Sequence, residues 1–309
     1  MMEPQRTTAA EFFRRPCVLL EDVFSIEALE RESLKDTPHE AARLWALCVK
    51  FAADPQMGLL ADSELYDIAF CVSLTFAFDQ LRAAGRLPRS FVQKLESDKP
   101  CFIHLAYEAE MAAYFMGTGY AETKLGEPDI VVPMNASTCF VACKKLASTA
   151  RGDTYLAAVV RNLDSAVDQI ADHGTGLAMV EVDVSGCGID CIEAHVVNHL
   201  DRHPRATAIS AVHLTWWERT LHVGEVEGRE VRVYAARRCV RSVVRNLGSG
   251  AAECPLYEGE TIEWIDAPPV LDVRLSNVAR SDDWLKLVAA NHLEPDKVLC
   301  WGPEVQTSL

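Results

Sequence analysis

Residues 127–146 read EPDIVVPMNASTCFVACKKL, and this stretch decides the fold class. It holds two short runs, Ile130–Val132 and Cys139–Lys144, whose β-branched, aromatic and other apolar residues are typical of buried strands. The polar segment Asn135–Thr138 separates the two runs and predicts a turn. A Pro-Asp step stands directly before the first run, and a pair of lysines ends the second. The stretch therefore predicts two strands joined by a short turn, with charged residues at their ends.

The segments after and before this unit alternate between helix and strand patterns. A helix is predicted over residues 104–116, and a longer one over about 154–173. An apolar strand follows at 176–184. Three more strands are predicted, over residues 208–215, 222–226 and 231–235. This order predicts an α/β fold in which helices flank a mixed sheet.

The first hundred residues show helix patterns throughout. A capping box at Thr37–Glu40 predicts a helix that ends near residue 53. A second helix runs from about residue 62 to 84, where Gly85 is a normal C-terminal signal. A shorter helix follows, so this region is predicted to form a helical N-terminal lobe.

Composition and charge limit the function classes. The chain has 309 residues, of which 49% are hydrophobic and 24% charged, and this excludes a mainly disordered or low-complexity protein. The net charge of −15 makes the whole chain a poor non-specific binder of DNA, because the phosphate backbone repels it. Residues 201–250 reverse the balance with nine basic and five acidic residues. One basic segment therefore lies within an acidic chain.

The sequence predicts a cytoplasmic protein without a membrane span. Its best apolar run, Ile68–Phe78, is far shorter than the ~20 residues a bilayer requires. The N-terminal residues show no secretory pattern. The 11 cysteines are odd in number and mostly lie in apolar runs, so they are expected to be reduced and buried.

Three further features surround the Pro-Asp strand. Glu108 lies on the preceding helix, Lys144 and Lys145 end the second strand, and Gln169 lies on the following helix. With Pro128-Asp129 before the strand, this set resembles the restriction-endonuclease-like nuclease superfamily, known by its PD-(D/E)xK motif. The resemblance covers about 80 residues, 104–184, and implies an α-β-β-β-α-β core.

The resemblance implies a chemistry as well as a fold. Asp129 and Glu108 would bind Mg²⁺ or Mn²⁺, Lys144 would position the attacking water, and Gln169 would face the cleft. Mg²⁺ polarises a phosphate and activates water, and it prefers one or two carboxylates as protein ligands. Alternate residues of a strand share one face, so a carboxylate two residues before Lys144 would point into the same cleft.

Position 142 departs from this pattern, because the motif carboxylate is replaced by Ala142. Three interpretations remain open. The first is a nuclease inactivated by a deliberate Glu→Ala substitution, and the second is a natural pseudonuclease that binds without cutting. The third is a carboxylate supplied from elsewhere, for which the candidates are Glu108, Glu110, Asp164 and Asp168.

The resemblance also divides the chain. Residues 1–99 would form the helical lobe, residues 100–250 the restriction-endonuclease-like core, and residues 251–309 a C-terminal extension in a β-rich part of the chain. A short final helix is predicted over Trp284–Asn291.

A stripe of soft metal ligands follows the core strands. Its members stand four residues apart and are Cys187, Cys191, His195, His199 and His203. On a helix, neighbouring members could share Zn²⁺, and His195 with His199 is the strongest pair. Gly186 and Gly188 indicate that Cys187 lies in a loop. The competing interpretation is a set of buried thiols beside a polar helix face.

Arg237, Arg241 and Arg245 are also four apart and lie in the basic segment. On a helix they would form one cationic edge suited to phosphates. The competing interpretation is a solvated face, or ion pairs with the acidic remainder of the chain.

Together these features predict a Mg²⁺-dependent nuclease that acts on DNA rather than RNA and is catalytically inactivated. A partner subunit or a homo-oligomer is expected to supply the DNA-binding surface, and a role as effector in prokaryotic antiviral defence follows by analogy only. The alternative is a non-catalytic pseudonuclease subunit that serves assembly or nucleic-acid binding. A zinc protein centred on residues 187–203 is a third hypothesis.

Overall fold

The structure is a computed structural model that describes most of the chain. The described residues are 9–53, 62–97, 102–117, 119–134, 137–146, 152–226, 229–244, 262–264, 270–272 and 299–301. The chain forms two compact units. The helical unit comprises Met1–Thr75, Glu218–Arg237 and Ile265–Leu309, and the sheet unit comprises Phe76–Trp217 and Arg238–Trp264. The predicted domain boundaries at residues 99 and 250 stay predictions.

The helical unit packs its N-terminal helices through apolar side chains. Its helices are α1 (Ala9–Val23), α2 (Ile26–Ser33), α3 (Glu40–Ala53) and the first part of α4 (Asp62–Ala83). Leu20, Leu44 and Leu74 are almost completely buried. The predicted helices of this region are confirmed, and α4 ends before Gly85, which adopts a left-handed backbone (φ 66°).

The sheet unit is an open, mixed sheet with helices on both faces. Its strands are β1 (Lys124–Leu125), β2 (Ile130–Pro133), β3 (Thr138–Lys145), β4 (Gly176–Glu181), the first part of β5 (Ile209–Val226) and the last part of β6 (Arg229–Val244), in that spatial order. Its helices are the end of α4, α5 (Arg89–Ser97), α6 (Phe102–Gly117), α7 (Asp153–His173) and α8 (Gly188–Leu200). The prediction of an α/β fold with a mixed sheet between helices is confirmed.

The directions of the strands change at β3. β1, β2 and β3 are antiparallel neighbours, whereas β4 lies parallel to β3 and β5 lies parallel to β4. α7 is the crossover between β3 and β4, because two parallel neighbours need a long connection. β3 therefore has an antiparallel partner on one side and a parallel partner on the other.

The two faces of β3 meet different helices. Phe140 lies against His173 of α7, with ring centroids 5.6 Å apart, and Ala142 belongs to an apolar cluster with Val159 and Leu163 of α7. Because alternate residues share a face, Lys144 projects toward α7 as well. The odd-numbered residues from 139 to 145 face α6. The end of β3 thus carries one lysine on each face.

The remaining described strands are short. β7 (Ile262–Trp264) pairs antiparallel with β6, and β8 (Val270–Asp272) pairs in parallel with β9 (Leu299–Trp301). The predicted helix over Trp284–Asn291 lies outside the described residues. No helix in the described part of the chain is long and apolar enough to cross a bilayer.

The eight cysteines whose side chains the structure describes form no disulfide with one another. Six of the eight are buried, namely Cys17, Cys48, Cys71, Cys139, Cys143 and Cys239. They pack as small apolar side chains.

Candidate active site

Asp129 lies in the turn that joins β1 to β2. The turn is closed by the backbone N–H of Gly126, which donates to the carbonyl oxygen of Asp129 at 3.0 Å. The last register pair between β2 and β3 is Ile130 with Val141. One residue before Ile130, the Asp129 carboxylate accepts a hydrogen bond of 2.7 Å from the backbone N–H of Cys143. The side chain thus continues the hydrogen-bond ladder where the β2 backbone has ended. This contact fixes the carboxylate beside the end of β3.

Lys144 approaches the same carboxylate from the α7 face. Its Nζ atom lies 3.7 Å from Oδ2 of Asp129 and donates a hydrogen bond to Oε1 of Gln169 on α7. The Lys144 and Asp129 side chains are only 15% and 12% exposed. Gln169 therefore holds the ammonium group against a buried carboxylate, and the structure brings together the three residues that the sequence predicted.

Glu108 adds a second carboxylate from α6. Burial raises the pKa of Glu108, and the nearby negative charge of Asp129 raises it further, to about 8. The positive charges of Lys144 and Lys94 act in the opposite direction. Burial also raises the pKa of Asp129, while Lys144 and the Cys143 N–H act in the opposite direction. Two carboxyl groups whose ionised forms are disfavoured are therefore held at one edge of the sheet.

Three further charged or titratable residues lie around the end of β3, and of these the sequence analysis named only Lys145. Lys145 and Glu181 are register partners at the ends of β3 and β4, and their side chains form a buried ion pair of 2.8 Å. Burial lowers the pKa of His104 on α6, and Lys145 and Lys144 lower it further. A signal for the ion pair existed in the sequence, because two successive apolar strands each end in a residue of opposite charge.

Position 142 lies opposite Asp129 when the register of β2 and β3 is continued by one step. Ala142 is fully buried, and its register partner on β4 is Ala178, which is also fully buried. A carboxylate at 142 would thus stand within about 5 Å of Asp129, measured between Cβ atoms of a directly opposed pair. The chain has apolar packing at the point where the resemblance implies an acid.

The structure separates the candidates for a substitute carboxylate. Glu108 lies by Asp129, whose charge raises the pKa of Glu108, whereas Glu110 is buried on α6. Asp164 and Asp168 bind basic groups on the other side of α7, so the prediction that they fill the gap is not supported. Their partners are His199, His203 and Arg205.

The carboxylate pair fits a hard divalent cation with few protein ligands. Mg²⁺ commonly takes one or two carboxylates and completes its shell with water and phosphate oxygens, and a cation between Glu108 and Asp129 would favour their ionised forms. Among the described residues, no group of three or more His, Cys, Asp or Glu side chains is arranged to hold a metal. Glu108 and Asp129 alone would therefore have to supply the protein ligands of a cation bound at this place.

The stripe of predicted soft ligands divides into separate contacts. Cys187 precedes α8, as the neighbouring glycines predicted, and its thiol contacts that of Cys191. His199 binds Asp164 at 2.5 Å, and His203, beyond the end of α8, lies 3.5 Å from the same oxygen. His199 and His203 thus share Asp164, and the pairing of His195 with His199 stays a prediction. These side chains join α8 to α7.

The predicted cationic edge does not lie on a helix. Arg237 and Arg241 are both on strand β6, and Arg245 lies outside the described residues. The Arg241 guanidinium forms ion pairs with Asp190 and, at 3.2 Å, with Glu193 of α8. The competing interpretation, ion pairs with the acidic remainder, holds for Arg241.

No protein-family model, no curated protein and no solved structure matches this chain. The function that follows is therefore inferred from the residues and the geometry of the site.

Proposed function

We propose that the sheet unit is a restriction-endonuclease-like nuclease core that hydrolyses phosphodiester bonds, in DNA rather than RNA, with Mg²⁺ or Mn²⁺. With alanine at position 142 the core is catalytically inactive. The single observation that carries the proposal is the meeting of Glu108, Asp129 and Lys144 at one edge of the sheet. These residues come from a helix, a turn and a strand, and their proximity is not a consequence of their spacing in the sequence.

The topology supports the proposal independently of the side chains. A helix, α6, is followed by the antiparallel strands β1, β2 and β3, then by the crossover helix α7 and the parallel strand β4. This order is the α-β-β-β-α-β arrangement that the resemblance implies. The charged groups lie where β2 begins and β3 ends, which is the place where such a core would hold its metal.

The chemistry assigns a role to each residue. Hydrolysis joins the oxygen of water to phosphorus and breaks one P–O ester bond, while the water loses a proton and the leaving oxygen gains one. A bound Mg²⁺, held by Asp129 and Glu108, would polarise the phosphate and activate the water. The Lys144 ammonium would orient the water and offset the charge that develops on the phosphate oxygens. Gln169 is a positioning residue, because it acts through its hydrogen bond to Lys144.

Because the chain is acidic, it would need an additional positively charged surface to bind DNA. With a net charge of −15 and Arg241 neutralised by α8, a partner subunit or a second copy of the chain would supply further binding surface. A nuclease that is held inactive until a partner assembles would suit an effector of prokaryotic antiviral defence in the cytoplasm. This last step rests on analogy with the nuclease superfamily.

A plasmid-cleavage assay tests the proposal. Supercoiled plasmid is incubated with the unmodified chain and with Ala142→Glu, in Mg²⁺, in Mn²⁺ and in EDTA. The double variant Ala142→Glu/Lys144→Ala is the test of the site, and Ala178→Glu is the matched control. Ala178→Glu places the same carboxylate on the same face of the neighbouring strand, away from Asp129.

The outcomes separate the interpretations of position 142. Metal-dependent cleavage by Ala142→Glu alone, lost in the double variant, supports an inactivated nuclease. Cleavage by the unmodified chain means that another carboxylate fills the role. Cleavage by no variant, with each protein folded, removes the support for an inactivated nuclease.

The second candidate function is a non-catalytic pseudonuclease subunit that serves assembly or nucleic-acid binding. The observation in its favour is the complete burial of Ala142 in the apolar cluster beneath α7, because a natural alanine would be selected there for packing. The natural residue at position 142 of the gene discriminates the two functions. An alanine in the gene favours the pseudonuclease, and a glutamate favours the nuclease.

A further inference from the structure

The buried surface of helix α6, which carries Glu108, is mostly apolar. Four of its buried residues are alanines, namely Ala106, Ala109, Ala112 and Ala113, and most of the others are large apolar side chains. Contacts between apolar surfaces are non-directional, so they do not by themselves fix the rotation of the helix or its shift along the sheet. A directional contact is therefore needed to hold Glu108 at one place on the edge of the sheet.

Tyr107, the residue before Glu108, makes such a contact. Its hydroxyl group is hydrogen-bonded to the hydroxyl group of Thr215 on β5, with 2.7 Å between the two oxygens, and both residues are completely buried. A buried hydrogen bond depends steeply on distance and angle, so it fixes α6 against β5. Glu108 follows Tyr107 by about 1.5 Å along the helix axis and about 100° around it. The bond therefore also sets the direction in which Glu108 points.

Thr215 belongs to a row of polar residues on the α6 face of the sheet. It is the register partner of Glu181 on β4, and Glu181 is the register partner of Lys145 on β3. The side chains of Lys145 and Glu181 form the ion pair of 2.8 Å, and each is only 10% exposed. The polar row, defined as Lys145, Glu181 and Thr215, thus crosses three parallel strands and lies where β3 and β4 end.

The polar row connects the two carboxyl groups of the candidate active site. Lys144, whose ammonium lies 3.7 Å from the carboxylate of Asp129, directly precedes Lys145 in β3. At the other end of the row, Tyr107 is hydrogen-bonded to β5 and directly precedes Glu108 in α6. A continuous series of contacts, register pairs and covalent links therefore leads from one carboxyl group to the other.

We propose that Tyr107 and Thr215 are positioning residues for metal binding, because their hydrogen bond fixes α6 on the sheet and so holds the Glu108 carboxylate beside Asp129. The inference rests on the proposed nuclease function, which assigns Mg²⁺ or Mn²⁺ to these two carboxylates. Both residues act through Glu108 rather than on the metal itself. Groups that orient a metal ligand from outside the coordination shell typically contribute about 10- to 100-fold to metal affinity.

The test measures Mn²⁺ binding by electron paramagnetic resonance, which distinguishes free from bound Mn²⁺ and requires no cleavage. The unmodified chain and Ala142→Glu are each titrated with Mn²⁺. In both, the variants are Tyr107→Phe, Thr215→Val and the double variant Tyr107→Phe/Thr215→Val, which remove hydroxyl groups and keep the shape of the side chains. Tyr155→Phe is the matched control. It also removes a buried tyrosine hydroxyl, which accepts the backbone N–H of Asp183, but it lies on α7 rather than α6.

Each single variant is expected to bind Mn²⁺ about 10-fold or more weakly, whereas Tyr155→Phe keeps the affinity of the unmodified chain. Urea unfolding in EDTA separates this loss from a loss of stability. Each single variant leaves a buried hydroxyl without this partner and is destabilised, whereas the double variant removes both hydroxyls and regains much of the stability. The Mn²⁺ affinity of the double variant stays low, because the bond that directs α6 is still absent.

The results that would overturn the inference differ in what they say about the proposed function. If Tyr107→Phe binds Mn²⁺ as tightly as the unmodified chain does, the bond does not position Glu108, and the nuclease proposal stands. Recovery of Mn²⁺ affinity together with stability in the double variant has the same meaning, and this variant decides if a single variant does not fold. If neither the unmodified chain nor Ala142→Glu binds Mn²⁺, the carboxylate pair is not a metal site, and the inference fails together with the proposed function.

Discussion

The sheet unit contains two acidic clusters that are built in opposite ways. The α7 stripe, defined as Asp164, Asp168 and Asp172, stands on the outside of α7 with side chains 38%, 57% and 69% exposed. Each of its members contacts a basic side chain. The carboxylate pair, defined as Glu108 and Asp129, is largely buried, and the Lys144 ammonium lies 3.7 Å from the carboxylate of Asp129.

The difference separates solvated, paired charges from buried groups whose ionisation is disfavoured. The α7 stripe is solvated and matched, so it joins α7 to α8 and to Arg205 at little electrostatic cost. The carboxylate pair has raised pKa values, because burial disfavours both charges and the charge of Asp129 adds to the effect on Glu108. Groups with such shifts concentrate at catalytic and metal sites, where a ligand removes the conflict. The comparison therefore identifies the pair as the place where a cation would be stabilising.

The largest expected effect comes from placing a glutamate at one of two buried alanines, Ala142 beside the carboxylate pair or Ala178 away from it. In EDTA, Ala178→Glu is expected to lose about 3–5 kcal/mol of unfolding free energy, because it buries an uncompensated charge among apolar side chains. Ala142→Glu is also destabilised in EDTA. Mg²⁺ at about 100 times its Kd restores ~2.7 kcal/mol to Ala142→Glu and nothing to Ala178→Glu.

Urea unfolding with and without Mg²⁺ measures this difference. An equal response of both variants to Mg²⁺ would mean that position 142 is not beside a metal site. Such a result would also mean that the carboxylate pair, like the α7 stripe, is not a place where a cation stabilises the fold.

The next effect is a pH dependence that only the carboxylate pair should produce. Glu108 has a pKa of about 8 in the folded protein and an ordinary value of 4.5. Between these values the folded state holds a proton that the unfolded state releases. The group therefore stabilises the fold below about pH 4.5, and this stabilisation is lost as the pH rises through about 8, by at most ~1.4 kcal/mol per pH unit.

Glu108→Gln removes this dependence. As the pH rises, the unmodified chain should therefore lose unfolding free energy relative to Glu108→Gln. Urea unfolding in EDTA at about pH 5, 6.5 and 8 gives the two curves. Glu96→Gln, an exposed change on α5, serves as the control and should follow the unmodified chain. Parallel curves for Glu108→Gln would remove the contrast between the two acidic clusters.

A smaller effect is expected at the backbone contact of Asp129. Asp129→Ala leaves the N–H of Cys143 without its acceptor and should cost about 1–3 kcal/mol. Asp129→Asn keeps an oxygen acceptor, so it should cost less, and it should lower the pKa of Glu108 by removing a nearby negative charge. Amide hydrogen exchange at Cys143 is the local probe. Exchange that is unchanged in Asp129→Ala would contradict a structural role for this carboxylate.

Much of this site could be predicted from the sequence because its signals are local. The strands around Pro128-Asp129 and the position of Lys144 follow from short apolar runs and their ends. The prediction that Gln169 faces the same cleft as Lys144 followed from the superfamily resemblance, and in the structure the two side chains are hydrogen-bonded.

The arginine segment shows why spacing alone was insufficient. Residues four apart lie on one side of a helix, and they also share one face of a strand, because four is an even number. Arg237 and Arg241 were assigned to a helix on this spacing, and the structure places them on β6. The stripe from Cys191 to His199 has the same spacing and lies on a real helix, α8. Only the surrounding β-branched residues distinguish the two cases.

The smallest expected effect completes the comparison, at Arg241. Its partly buried guanidinium is matched by Asp190 and Glu193, as the acids of the α7 stripe are matched by their partners. Arg241→Gln should therefore cost no more than about 1 kcal/mol of unfolding free energy. It should change the affinity for DNA less than 2-fold, because a neutralised charge releases few counterions from DNA. Anisotropy measurements of DNA binding in one salt series test this expectation. If Arg241→Gln lowered the affinity several-fold together with the salt slope, ion pairing within the protein would not separate structural charges from binding charges. The basic segment would then return as a candidate DNA-binding surface.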